Sequence, residues 1–393
     1  MLTIKLLPAE YGDCILVSIV DEVNLNVLID GGTRKTYKNS IASEIKHIKN
    51  LNQKLNLTIC THMDYDHISG IIEILKNENS EFINEIWYNG FLQVVNSKYY
   101  SLADNKYTDR DNLILDGIIA QGTGPEQEQE IGITDGMALG TLIQQNNISL
   151  NKVTAGKAIS TEMVLKKIEL ARSTFIKILG PSEENLIAVE NLWKENMVAQ
   201  NYTFRVANKI KLTEAFEYQL STVKMFYSAE RTQINELEDL AKYMGNLNAI
   251  DDSKTNASSI SFILEHNGNK YLFLGDAIID DLLLGYIESS VGTNYRFEAI
   301  KLPHHGSRYN ITLDFIERYT AKEYYCLTNN ERFRHPDIEV LSTIICKDSN
   351  FKKIIFDYPI DKAHFLDKAA WKEKYNYELI IGDGHSVIER VFK

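Results

Sequence analysis

The chain of 393 residues has no apolar run approaching the roughly 20 residues that cross a bilayer, so a membrane-spanning protein is not expected. Its N-terminal stretch, MLTIKLLPAEYGDC, lacks the basic, then apolar, then small-residue layout of a secretory signal. Cysteine is scarce. Cys14, Cys60, Cys326 and Cys346 stand apart with no CxxC pairing, in a chain long enough to fold without covalent staples. Free thiols and a cytoplasmic location are therefore expected. Basic residues are also in deficit, 42 Lys and Arg against 54 Asp and Glu, a formal charge of −12. That balance argues against a surface that binds nucleic acid by broad phosphate neutralisation. It does not exclude a nuclease, because carboxylates that ligate metal add formal negative charge which the ions cancel. No Walker loop, no GxGxxG after a strand and no Cys-rich zinc module is present, so a nucleotide-driven motor and a hydride-transfer enzyme have no support.

What is there reads as an ordinary folded α/β chain. Hydrophobic residues make up 44% and charged residues 24%, inside the globular range. The β-branched or apolar segments 3–7, 14–20, 26–32 and 56–62, each bounded by turn residues, predict strands. Segment 68–77, ISGIIEILKN, has helical spacing. Between about 88 and 255 the texture changes. Acidic and amide-rich turns such as 122–132 interrupt it, 177–182 reads as a strand entering a Pro turn, and helices are predicted over 183–200 and 229–246. Asn267-Gly268 then joins two apolar runs as a hairpin. Strands are predicted at 299–307, 323–330, 352–358 and 385–392, with helices over 311–320 and 337–346. No internal repeat or low-complexity tract interrupts this alternation of strands and helices, which predicts an α/β sandwich.

Three segments concentrate metal-competent side chains. His62, Asp64, Asp66 and His67 lie within six residues directly after a predicted strand. Asp276 ends the apolar strand YLFLG, where a carboxylate is costly unless it is paired, bound to a cation or capping a helix. His304 and His305, followed by Gly306 and Ser307, come directly after the strand AIKLP.

In order and context, LPAEYGDCILV, LIDGG, THMDYDHISG, FLGDA and LPHHGS resemble the motifs of the metallo-β-lactamase superfamily, and within it the nuclease-like domain of the competence protein ComEC. The resemblance covers both halves of the chain but not its middle. It implies a four-layer αββα fold of two mixed sheets, one domain over 1–393, with a largely helical insertion or cap within about 100–250. It also implies roles. Asp30 would hold the ligand loop, His62 and Asp64 would bind one metal, Asp66 and His67 the second, Asp276 would bridge the two, and His305 would be the last ligand. His304 would face the substrate. Asn256 and Ser259 match the Asn and Ser that precede the Asp strand in ComEC-like chains, as supporting residues with Ser307.

The sequence departs from the common pattern in two ways. Asp64 stands at the second position of HxHxDH, and no histidine lies between His67 and His266, so the middle-motif histidine is absent. Oxygen-rich ligation shifts preference toward manganese or magnesium and away from tightly held zinc. Two divalent ions, zinc or manganese, are expected, one of them weakly held. The resemblance implies a metal-dependent phosphodiesterase acting on a nucleic acid or nucleotide. Asp66 or Asp64 would accept the displaced proton, and His304 or His335, in RFRHPD, would contact phosphate or protonate the leaving group; for His335 an ordinary His-Pro loop is the other reading. The competing readings are a hydrolase of small carbonyl compounds such as thioesters, lactones or β-lactams, and a binding or regulatory module that has lost its chemistry.

Overall fold

The computed structural model describes residues 1–21, 23–78, 80–99, 109–121, 138–204, 208–221 and 239–393. Segment 122–132 and most of the helix predicted over 229–246 lie outside them. Of that helix, Leu240–Tyr243 is described as a single 3-10 turn.

Period-two alternation builds the centre of the molecule. In β1 (Leu2–Leu6) and β2 (Ile15–Ile19), Leu2, Ile4, Leu6, Ile15, Val17 and Ile19 point to one face, while Leu16 points to the other. The first face packs against Ile176, Phe262, Leu264, Tyr271 and Phe273 of the opposing sheet, forming a dry layer between two sheets. Strands β3 (Leu25–Ile29), β4 (Leu57–Ile59), β5 (Ile86–Trp87) and the C-terminal β14 (Ile388–Phe392) complete the first sheet, in the order β14-β1-β2-β3-β4-β5. The second sheet runs β13-β12-β11-β10-β9-β8-β7-β6. It comprises β6 (Ile168–Ala171), β7 (Thr174–Gly180), β8 (Ser261–His266), β9 (Asn269–Phe273), β10 (Tyr295–Lys301), β11 (Tyr319–Cys326), β12 (Lys352–Phe356) and β13 (Tyr377–Ile381). Both sheets are mixed: β3-β4-β5 and β9 through β13 are parallel, the rest antiparallel.

Helices cover both outer faces, which gives the αββα order. On the first sheet, α1 (Ala42–Asn50) and α2 (Tyr65–Asn77) share a hydrophobic cluster with four helices of the middle region: α3 (Asp109–Gln121), α4 (Leu139–Gln145), α5 (Glu183–Ala199) and α6 (Lys209–Ser221). The start of α5 is fixed by a capping box, in which Ser182 and Asn185 each accept the other's backbone N–H. On the second sheet lie α7 (Asp281–Val291), α8 (Leu313–Arg318), α9 (Ile338–Lys347), α10 (Asp361–Leu366) and α11 (Ala369–Tyr375). Among the described residues no helix is long and apolar enough to cross a membrane.

The parallel pairs set the place of the site. Asp30 comes just after β3, Thr61 and His62 after β4, Asp276 after β9, His304 and His305 after β10, and Asp357 after β12. These are the C-terminal ends of parallel strands, where loops from both sheets meet at one end of the sandwich. All four cysteines are free thiols.

Candidate metal centre

Helix α2 begins at Tyr65, three residues before the apolar periodicity, because the Asp64 carbonyl already accepts the amides of His67 and Ile68. Asp66 and His67 therefore belong to its first turn, with the Asp66 carboxylate at the end of the helix that favours negative charge. Two close backbone approaches clamp this turn. An added Cβ at Gly70 would meet the Gly31 carbonyl oxygen at 1.9 Å, and one at Gly12 would meet the Asp66 carbonyl oxygen at 1.8 Å. Any side chain at either position would push the ligand loop off the sheet.

Asp30, in the left-handed region at φ 55, orients the ligand loop. Its carboxylate accepts the Thr61 amide and hydroxyl, both at 2.8 Å, and lies 2.9 Å from His67 Nδ1. Because the Thr61 hydroxyl donates to Asp30, it accepts from His62 Nδ1 at 3.1 Å. On the other sheet, His305 Nδ1 donates to the Leu327 carbonyl at 2.7 Å. With the proton on Nδ1 in all three rings, each Nε2 keeps its lone pair, the tautomer a metal ligand needs.

The Nε2 atoms of His62, His67 and His305 are buried and have no hydrogen-bond partner, as do Asp64 Oδ1 and Asp276 Oδ1. They converge. Asp276 Oδ2 lies 3.4 Å from His67 Nε2 and 3.8 Å from His305 Nε2, Asp66 Oδ2 lies 4.0 and 3.9 Å from the same two atoms, and His62 Nε2 lies 3.6 Å from Asp64 Oδ2. Orphaned buried acceptors of this kind are costly unless a cation satisfies them. Three overlapping groups have metal-ligand spacing: His62 with His67 and Asp276, Asp66 with His67 and His305, and Asp13 with Asp30 and His67, the last lying on the Nδ1 side of His67. Among the described residues, none of these groups takes a member from between 68 and 275, in keeping with the missing middle histidine.

The electrostatics agree with that donor set. Burial alone would push Asp276 up, yet His67, His305 and His304 hold it well below the usual carboxylate range. Burial opposes charge on His67, but Asp276 and Asp30 raise it well above the ordinary imidazole value. Protons bind where cations would, so metal uptake must release them.

Beneath these residues lies a network that sequence reasoning missed. Lys301 is fully buried at the end of β10, paired with Asp13, 3.6 Å from Asp276 Oδ1, and donates to the Gly275 carbonyl at 3.0 Å. Asp13 also sits 3.2 Å from His305 Nδ1. Burial would raise Asp13; Lys301 first, then His305, brings it down to about 2. Asp251 and Asn310 hold the second face: Asn310 Nδ2 donates to Asp251 and to the Asp276 carbonyl, and its oxygen accepts from His304 Nδ1 at 2.9 Å. The only trace of Lys301 in the sequence is a lysine on the same strand face as Phe297 and Ala299, a charge where alternation calls for an apolar residue.

The other expected site residues surround these ligands. Asn256 donates to Asp251 at 2.7 Å and lies 3.4 Å from His304 Nδ1, and Ser259 accepts the Asp276 amide at 3.2 Å. The Ser307 hydroxyl accepts the Tyr309 amide and closes the turn after the histidines, so it stands behind the cluster. His304 and His305 take φ values of 45 and 55, a pair of left-handed non-glycine residues that the surrounding contacts must enforce. His304 Nε2 lies 3.8 Å from Asp276 Oδ2. His335 does not touch the metal-ligand groups; it packs against His304 with ring centroids 4.9 Å apart, and burial lowers it to about 4.

No family model matches the chain, and a search of curated proteins finds no match. Among solved structures, Igni18 of the archaeon Ignicoccus hospitalis, described as a metallo hydrolase, is similar at 11% identity and TM-score 0.39 over 100% of both chains. YhfI of Bacillus subtilis, described as a metallo-beta-lactamase fold protein, matches at 9% identity and TM-score 0.38 over 99% of both. Zinc-bound PqqB of Methylobacterium extorquens matches at 8% and 0.38 over 100% of both. At identities and TM-scores this low the likeness carries no functional argument, and the fold description stands on the strand order and layers themselves.

Proposed function

We propose that the chain is a metal-dependent hydrolase of the metallo-β-lactamase superfamily, ComEC-like in its motifs, that cleaves phosphodiester bonds. The observation that carries the reading is the convergence of three buried, unpartnered imidazole Nε2 atoms on Asp276 and Asp66. His62 and Asp64 would hold one divalent ion, Asp66, His67 and His305 the other, with Asp276 shared between them. Bound divalent ions supply an acidified water and positive charge to receive the oxygens of an in-line displacement. The first position offers one imidazole and the second two, so the first is the weaker and more oxygen-rich, which favours manganese over zinc there.

The chain's own residues complete the chemistry. Asp64 is partly exposed and takes up the proton displaced from the attacking water. His304, held through Nδ1 by Asn310, presents Nε2 toward Asp276 and, in its doubly protonated form, donates the Nε2 proton to the leaving group, returning to the neutral ring with its proton on Nδ1. His335 braces His304 by ring contact and contacts phosphate only through it. The middle-region helices, packed with α2 in one outer layer, are proposed to belong to the same single domain.

Incubation of manganese-loaded protein with single-stranded DNA, RNA and cyclic dinucleotides tests the reading. Cleavage lost in Asp66→Asn supports it. Full metal loading with no cleavage of any of the three contradicts it, and turnover of thioesters or lactones under the same conditions would place the chain among hydrolases of small carbonyl compounds.

A further inference from the structure

Between β11 and α9 the segment ERFRHP runs past the mouth of the metal centre. Phe333 is 40% exposed and Arg332 and Arg334 are exposed, although the chain as a whole carries a charge of −12. A single exposed phenyl ring is ordinary on a protein surface. This one is tied to the site through three rings, one of them His335, which lies nearly parallel to it with centroids 6.3 Å apart and leaves the solvent side of the phenyl open. Its ring packs against His304 with centroids 5.8 Å apart, and His304 faces Asp276. It also meets Tyr11 edge to face at 6.5 Å, and the Arg332 guanidinium lies over both rings, 5.0 Å from Tyr11 and 5.2 Å from Phe333. An exposed aromatic face with a guanidinium beside it, one ring away from the reacting end, has the composition of surfaces on which unpaired bases stack.

We infer that Tyr11, Arg332 and Phe333 form a seat for a nucleobase, with the base stacked on Phe333 and Arg332 meeting the adjoining backbone, so that the neighbouring diester lies at the metal centre. The inference rests on the phosphodiesterase reading for the identity of the reacting group, but the seat itself is a binding site. A base held in a duplex cannot offer its face to Phe333, and a diester without a base has no face to offer, so the seat selects single-stranded or mononucleotide ends.

Fluorescence anisotropy separates these statements. The probes are a labelled hexathymidylate with phosphorothioate links and the same backbone made abasic, each titrated with manganese-loaded protein at fixed salt. The wild type is expected to prefer the thymidylate strand by about 5- to 150-fold, the effect of one stacked base. Phe333→Ala abolishes the preference, Phe333→Trp restores it, and Arg332→Ala weakens both strands alike because the backbone is common to them. Equal affinity of the wild type for the two strands, or a preference that survives Phe333→Ala, overturns the seat. A Phe333-dependent preference in a protein that cleaves no strand keeps the seat and removes the hydrolase reading; cleavage with no preference does the reverse.

Discussion

His62, Asp64, Asp66 and His67 come from six consecutive residues that run from the end of β4 into the first turn of α2, whereas Asp276 and His305 follow the ends of two different strands, β9 and β10. The N-terminal group is positioned by backbone: the start of a helix, the Gly31 and Gly70 approach, and the single carboxylate of Asp30. The C-terminal pair is positioned by side chains, through Lys301, Asp13, Asp251 and Asn310, and by a left-handed turn at His304 and His305. A ligand set held by backbone is compact in sequence and tolerates exchange of the surrounding side chains, except for a Cβ added at Gly12 or Gly70. One held by a buried polar network is dispersed in sequence and fails when one member is removed, because the others are left buried and unpaired.

The largest effect expected from that difference is that of Lys301→Met. Loss of the buried ammonium leaves Asp13 and Asp276 uncompensated and should cost about 3–5 kcal/mol, measured by urea unfolding of the metal-free protein. The double variant with Asp13→Asn should recover most of it, and a single variant of unchanged midpoint would mean the C-terminal network is not held by charge. Next comes the packing beneath the N-terminal loop, where Glu217 of α6 accepts the Leu139 and Gly140 amides and lies against Tyr88. Burial raises Glu217 from 4.5 to about 7. The folded state then holds a proton that the unfolded chain releases, so this stabilisation is complete below about 4.5 and fades as pH climbs through about 7. By linkage the change is about 3 kcal/mol, and Glu217→Gln should remove that share of the pH dependence in unfolding curves taken from pH 4.5 to 8, while Glu214 and Asp357, raised by burial to about 7 and about 8, keep theirs. A smaller loss is expected of Asp30→Asn, which leaves the backbone clamp in place but disorients His67: metal affinity falls about 10- to 100-fold, by competition with a chromogenic chelator, with little change in folding. Ser259→Ala removes only the acceptor of the Asp276 amide and should cost about 1 kcal/mol; a loss as large as that of Lys301→Met would erase the contrast between the halves.

Legibility in the sequence divides along the same line. Strands β1 to β4 are readable because alternation along them meets a dry layer on one face, as Leu2, Ile4 and Leu6 do. The ligand loop is readable because its side chains are neighbours in the chain. Lys301, Asp13, Asp251 and Asn310 are not, since each is a lone polar residue whose partners become adjacent only when the end of β10, the β1–β2 connection and the 251–259 segment meet at one end of the sandwich. The helix predicted over 311–320 ends at Arg318 because Tyr319 enters β11, whose pairing with β10 outweighs local spacing. Apolar periodicity places Asp66 and His67 in a loop, yet they form the first turn of α2, because helix starts are set by backbone acceptors that such periodicity does not mark.

The most direct test of the central claim is metal content by elemental analysis, on wild type and Asp276→Ala purified without chelator and loaded with manganese or zinc, with circular dichroism to establish that both are folded. The account predicts close to two divalent ions per wild-type chain, one readily removed by dialysis, and fewer than one in the variant, with phosphodiester cleavage lost alongside. A folded wild-type chain that retains no metal after loading, or an Asp276→Ala chain that binds as much as the wild type, would contradict it.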